Sequence, residues 1–382
     1  MANTLKFGNG EWYGKKDTIL AYNDENNNYK PLPFDFSRAS SATRVNKDGL
    51  IETVGGGEPR IDFKDNTKGA LLLEPSRTNL ITYSEDFSQS SWNKQSGISA
   101  TYNTTETLSP DGTYNSTKLT GNGSTGIYTT ASVSGVVCRS IYIKSVTGNT
   151  NVTLKDPQNT ITQKTLNITP KWQRFELVED NTTGSQGLWI DDISSLGIYI
   201  YGAQLEQGSY PTSYIPTSGS AVTRLADVCN NGANEQVINS TEGVFYAEIS
   251  TNTDATDKTI SLNNGVIGSL NNRLWIGYST SAKRVYALGY VNNTLQFVLS
   301  KLMTDETAFV KIACKYSLNN VSFFVNGEKV GTDTSALAFT QLNSIDFNIG
   351  NGSEVAKFYG KTKDVRVYNT TLTDQELIAL TS

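Results

Sequence analysis

An all-β fold, two consecutive sandwiches of jelly-roll type behind an extended N-terminal segment, is predicted by three features of the sequence. Apolar residues recur at every second position in short runs, as in Phe245, Ala247 and Ile249 or Ile345, Phe347 and Ile349. That is the period at which side chains alternate across a strand. Gly, Asn, Thr and Ser clusters separate the runs, and one break is Asn326-Gly327, the strongest two-residue hairpin signal. One convincing helix closes the chain: Thr373-Asp374-Gln375-Glu376 is a capping box, followed by Leu377 and Leu380.

Residues 1–34 hold Phe7, Trp12, Tyr13 and Tyr22 among Gly, Asn and Lys. A segment this short cannot cover its own aromatics, because chains below roughly 40 residues rarely form a core. The four rings are therefore expected to dock onto a partner surface or onto copies of the same chain. Removing residues 1–34 should then leave a folded remainder. Residues 35–82 read as an extended connector with short β pieces. Asp48-Gly49 between Val45 and Leu50-Ile51 signals a hairpin, and Gly55-Gly56-Gly57 a flexible break.

Residues 83–226 carry the first sandwich, with Ile141 and Ile143, Phe175 and Leu177, and Ile198 and Ile200 as alternating pairs. Residues 235–382 carry the second, where Val321, Phe323 and Val325 lead into Asn326-Gly327, and Val365 and Val367 form a later strand.

Composition removes whole classes of function. The formal charge is -5 with no basic block, which speaks against nucleic acid as a partner. Charged residues make up 18%, against about 25% usually, and neutral polar residues fill the difference. The chain has no histidine, which excludes His-based triads, His-ligated zinc and imidazole acid-base chemistry. Cys138, Cys229 and Cys314 are odd in number and far apart, so isolated buried thiols are expected. No apolar run approaches 18 residues, so no helical membrane span is predicted, and the N-terminus lacks the pattern of a secretory signal.

Two blocks resemble known families. Phe36-Ser37-Arg38-Ala39-Ser40-Ser41-Ala42-Thr43-Arg44, Leu73-Glu74-Pro75-Ser76-Arg77-Thr78-Asn79-Leu80 and Tyr83-Ser84-Glu85-Asp86-Phe87 are followed at the far end by Tyr201-Gly202-Ala203-Gln204-Leu205-Glu206-Gln207-Gly208 and Pro211-Thr212-Ser213-Tyr214-Ile215-Pro216-Thr217. The pattern resembles bacteriophage head- and tail-fibre proteins that carry a carbohydrate-binding-module-like jelly roll. Val321 to Val330, Asp364-Val365-Arg366-Val367-Tyr368 and Leu372-Thr373-Asp374 are similar to laminin-G/concanavalin A-like domains. The resemblance implies a virion appendage, assembled in the host bacterial cytoplasm. It would dock on capsid, collar or tail proteins by its N-terminus and contact bacterial surface polysaccharide. It also implies a homotrimer, in which the connector could gain a core by intertwining three copies. A purely structural decoration protein and a polysaccharide depolymerase are the alternatives.

Sugar sites combine aromatic stacking with hydrogen bonds to hydroxyls. Trp275, Tyr286 and Tyr290 lie out of phase with the aliphatics of their strands, so they project together if the aliphatics face the core. Strand aromatics also serve plain sheet packing. Trp189, Tyr199 and Tyr201 make a weaker set of the same kind. Asp191-Asp192 are adjacent strand residues that point to opposite faces. Residues 235–382 lack the Glu-x-Asp-x-(x)-Glu motif of concanavalin-like glycanases, so a non-enzymatic protein is expected. No cofactor is expected beyond a structural calcium, with Glu85, Asp86 and Glu206 as its candidate ligands by resemblance to related modules.

Overall fold

The computed structural model describes residues 5–23, 28–159, 161–181, 184–252, 256–266, 270–279, 283–350 and 355–382. It is all-β with one C-terminal helix. The chain forms two compact units. One comprises residues 1–39, 54–75 and 226–382, and the other residues 40–53 and 76–225.

The first unit is a sandwich of two sheets over one apolar core. The larger sheet runs in the order Val228–Asn230, Asn28–Ser37, Thr18–Asn23, Leu5–Gly8, Gly360–Tyr368, Glu242–Thr251, Val310–Ser317, Val321–Val325 and Glu328–Asp333. The smaller runs Thr294–Leu302, Arg284–Val291, Arg273–Ser279, Lys258–Asn263 and Ser344–Asp346. Phe245, Ala247, Ile249 and Phe323 from the larger sheet join Ile260, Leu262, Leu274 and Ile276 from the smaller in one buried cluster. Each set sits at alternate positions of its strand, as the sequence period requires. Asn326 and Gly327 both take positive φ, 47° and 79°, and close the expected hairpin.

Of the four N-terminal rings expected to dock on a partner, Phe7 and Trp12 are engaged within the chain itself. Leu5–Gly8 pairs along its whole length with the strand Gly360–Tyr368, Phe7 opposite Val365. Phe7 is 1% exposed and lies among the rings of Phe34, Trp12 and Phe347, with centroids 4.8, 5.4 and 6.0 Å away. Trp12 packs against the same core, and its Nε1 donates to the Lys68 carbonyl at 2.9 Å. Tyr13 is exposed, while Tyr22 contributes a backbone pair with Lys6 and its side chain lies outside the described residues. Phe7 is covered by Trp12 and Phe34 of the same segment together with Phe347 and the strand Gly360–Tyr368.

The connector is divided in the same way. Ala70–Leu73 pairs with Gly360–Tyr368 and sends Leu71 and Leu73 into the core, so residues 54–75 belong to the sandwich and need no second copy. Arg38, Arg60, Glu74 and Asp227 form a buried ion network here. Arg38 meets Asp227 at 3.0 Å, Arg60 meets Glu74 at 2.6 Å, and Arg60 also pairs with the other Asp227 oxygen. Burial works against the Arg60 charge, but Asp227 and Glu74 outweigh it and hold the guanidinium more firmly protonated than usual.

The second unit is also a sandwich. One sheet runs Asn93–Lys94, Ile127–Ala131, Gln186–Asp191, Thr150–Lys155 and Gln163–Ile168. The other runs Ser99–Thr101, Thr117–Thr120, Ile198–Gln207, Gly135–Ser145 and Gln173–Asn181. Ile141, Ile143, Leu188, Ile190, Ile198 and Ile200 share its core. Ala42–Val45 and Ile51–Val54 form the hairpin expected around Asp48-Gly49. The helix Asp374–Thr381 carries both halves of its capping box, and all three cysteines are buried free thiols.

Deleting residues 1–34 removes Leu5–Gly8, Thr18–Asn23 and most of Asn28–Ser37 from the larger sheet, exposing the Gly360–Tyr368 edge and the core beneath Phe7 and Phe34. The truncated chain is expected to be insoluble or to lose its cooperative thermal transition. A soluble truncation with an unshifted transition by calorimetry would contradict this assignment of the N-terminal strands.

Candidate functional site

The outer face of the smaller sheet in the first unit holds a cavity beside two of the expected aromatics, Trp275 and Tyr286. Leu274, Ile276 and Tyr278 enter the core, so Trp275, Gly277 and Ser279 point away from it. Antiparallel register then sets side chains in rows across the strands. Ser261, Trp275, Leu288 and Val298 form one row, and Thr259, Gly277, Tyr286 and Ser300 the next. Ser279, Arg284 and Leu302 form a third.

Gly277 is the gap that shapes this surface. With no side chain there, the Tyr286 ring crosses its position and the Tyr286 hydroxyl meets Thr259 Oγ1 at 2.6 Å. Burial pushes the Tyr286 pKa far above its ordinary value, so the ring is a neutral, fixed surface at physiological pH. Trp275 is half-buried, and its Nε1 donates to the Ile349 carbonyl at 3.1 Å, which sets the indole orientation.

These rings line a cavity of about 400 Å³. Its chemistry is divided. Trp275, Tyr286, Leu288, Val298 and Ile349 supply an apolar floor and wall, whereas Asp257, Ser279, Arg284 and Ser300 supply polar groups. Two of the three expected platform residues thus line it. Tyr290 does not; its ring packs 5.5 Å from Trp275 and braces it. Leu288, Val298, Ser300 and Arg284 were missed by the sequence reading. Their phase on the strands carried the signal, but only the register reveals which rows they join.

The second set of expected aromatics is not brought together. Trp189 lies on one sheet of the second unit, and Tyr199 and Tyr201 on the other. Trp189 packs 5.5 Å from the Tyr128 ring and carries Lys155 Nζ 4.0 Å from its centroid. Tyr199 and Tyr201 are buried. Tyr199 donates to Glu106 at 2.8 Å, and Tyr201 to Glu85 and Asp111 at 3.2 Å each. These rings are sealed by acidic side chains and do not form a shared platform.

The expected calcium ligands are also separate. Glu85 accepts from Tyr201, Tyr214 and Asn115, and its burial raises its pKa against those hydrogen bonds. Asp86 is capped by Ser88 and Gln89, whose hydrogen bonds lower its pKa. Glu206 is buried, which raises its pKa, and both of its oxygens accept from Thr212. Among the described residues no group of three or more His, Cys, Asp or Glu side chains could hold a metal ion, so the proposed set does not fit one. Asp191 and Asp192 have different partners, Lys155 at 2.6 Å and Thr153 at 2.6 Å.

Residues 244–378 match the family model of the concanavalin A-like lectin/glucanases superfamily, which spans the sheet carrying the cavity. No curated protein matches the sequence. Among solved structures, the CBM40 of the Ruminococcus gnavus IT-sialidase is similar at 20% identity, covering 40% of this chain and 94% of that one with a TM-score of 0.34. The SAP-like pentraxin of Limulus polyphemus is similar at 9% identity, covering 40% of this chain and 74% of that one, with a TM-score of 0.29. Domains LG4-5 of the mouse laminin alpha1 chain are similar at 9% identity, covering 74% of this chain and 92% of that one, with a TM-score of 0.28.

Replacing Thr259 with Val keeps the shape but leaves the buried Tyr286 hydroxyl without its partner. The cost is expected to be ~1–3 kcal/mol of unfolding free energy, read from urea denaturation. No change in midpoint would mean that Thr259 does not fix Tyr286.

Proposed function

We propose that the first unit is a non-catalytic saccharide-binding module, and that the cavity beside Trp275 and Tyr286 is its site. The observation that carries this reading is the split chemistry of one cavity: a fixed aromatic floor with hydroxyl, carboxylate and guanidinium groups beside it. Sugars present the matching split, apolar C–H faces and polar hydroxyl edges. The lectin-type family match over the same residues supports it.

The non-catalytic reading is supported by the acids present. Asp257 is the one carboxylate among the described lining residues. Glycoside hydrolysis ordinarily needs two, ~5–5.5 Å apart in retaining enzymes or ~6.5–9.5 Å in inverting ones.

We further propose that the protein is an appendage of a bacteriophage virion, joined to other virion proteins and presenting this module to bacterial surface polysaccharide. The support is the block from Phe36 to Thr217 that resembles phage fibre proteins. The same resemblance supports a homotrimer, for which light scattering of the full chain should give three times the mass of one. A monomer at micromolar concentration would rule it out.

A single site with one stacking ring is expected to bind at around millimolar, a free energy of about -4 kcal/mol. Several copies on one particle would raise the avidity by roughly 10²–10⁴ where geometry permits joint engagement. The test uses the full chain, because the sandwich needs its N-terminal strands. Trp275→Ala is expected to abolish binding on a glycan array and to weaken cell adsorption, with an unchanged circular dichroism spectrum. Undiminished binding by the folded variant would overturn the site. Release of oligosaccharides by the wild type would overturn the non-catalytic reading.

A further inference from the structure

The polar groups of the cavity are not spread evenly around the aromatic floor. Trp275, Leu288 and Val298 share one row, and Ser279 and Arg284 share another four residues further along their strands, with the Tyr286–Ser300 row between. Charge is therefore gathered toward one end of an otherwise apolar surface.

Arg284 at that end is exposed, and its Nη1 donates to the Ser300 hydroxyl at 3.2 Å. Among the described residues no carboxylate pairs with it. Asp257 lines the same cavity and makes no ion pair with it either. A guanidinium held by one neutral hydroxyl keeps most of its fork of N–H donors for a ligand, and that fork matches a carboxylate in bidentate geometry.

We infer that the cavity selects an acidic saccharide, one whose pyranose face rests on Trp275 while its carboxylate pairs with Arg284. This deepens the saccharide-binding reading and rests on it. Asp257 then has a separate task, accepting hydrogen bonds from hydroxyls on the same sugar. An exposed guanidinium is already hydrated, so its share is modest: about tenfold in affinity, the scale of one charge-assisted hydrogen bond. The contact is also open to salt, so affinity for the acidic ligand should fall as ionic strength rises and the Debye length shrinks below ~10 Å.

The test is calorimetric titration of the full chain with a panel of uronate- and sialate-containing oligosaccharides. Each is paired with its carboxyl-reduced, neutral counterpart. Wild type, Trp275→Ala and Arg284→Gln are compared after their folds are matched by circular dichroism. The expected result is about tenfold tighter binding of the acid form by the wild type. Arg284→Gln should lose that preference and bind both forms as the wild type binds the neutral one. Trp275→Ala should lose both forms. Equal binding of acid and neutral forms by the wild type, or an acid preference that survives in Arg284→Gln, overturns the inference and leaves the saccharide site standing. Absence of binding to every member, or binding that Trp275→Ala leaves intact, overturns the site itself and the inference with it.

Discussion

The buried pairing of two arginines with two carboxylates is the constraint on which the first unit depends. Arg38, Arg60, Glu74 and Asp227 come from all three of the chain segments that build it. Asp227 is the shared partner: one oxygen takes Arg38, while the other takes Arg60 and the Glu74 amide, and the Asp227 amide donates back to the Glu74 carbonyl at 3.0 Å. The charges balance, two against two, in a place that water does not reach. Such a network adds little net stability over an apolar filling, but removing one member leaves a buried charge unpaired at a cost of ~3–5 kcal/mol. It therefore acts on register. A sheet assembled from remote pieces could slip by one residue and turn its apolar stripe outward, and the network admits one alignment.

That alignment is what the candidate site inherits. The strand Ala70–Leu73, next to Glu74, pairs with Gly360–Tyr368, which also pairs with Glu242–Thr251. Across the core, Lys258–Asn263 and Arg273–Ser279 present their alternate residues outward in rows. Gly277 then matters for what it lacks. A side chain at that point would hold Tyr286 off Thr259 and close the floor of the cavity. The same position is pressed against the Lys258 backbone, so even a methyl group there requires the strands to shift.

Much of this was legible in the sequence wherever the information is local. Alternation gave the strands around Phe245 and Ile345, Asn326-Gly327 its hairpin, and Thr373 with Glu376 the helix start. The outward phase of Trp275 and Tyr286 was legible too, because phase against neighbouring aliphatics is a property of one strand. What depends on which strands pair was not. Leu5 and Phe7 have the alternation of a strand, but their partner is some 360 residues away, so they read as a docking end. Trp189 and Tyr201 sit in similar phase on consecutive strands. Those strands belong to different sheets, and nothing in their spacing says so. Glu85, Asp86 and Glu206 failed as a set for a related reason, since each carboxylate is already engaged by hydroxyls and amides that only the fold brings near.

The pairing of Leu5–Gly8 with Gly360–Tyr368 also sets an order of events during synthesis. At typical ribosomal speeds of ~5–20 residues per second, the first strand waits ~20–70 s for its partner. During that interval residues 76–225 have what they need for their own core, whereas Phe7 and Phe34 do not. Contacts this distant close slowly and leave apolar strand edges uncovered meanwhile. The nascent chain therefore carries Leu5 and Phe7 as uncovered apolar strand residues until the strand Gly360–Tyr368 has been made.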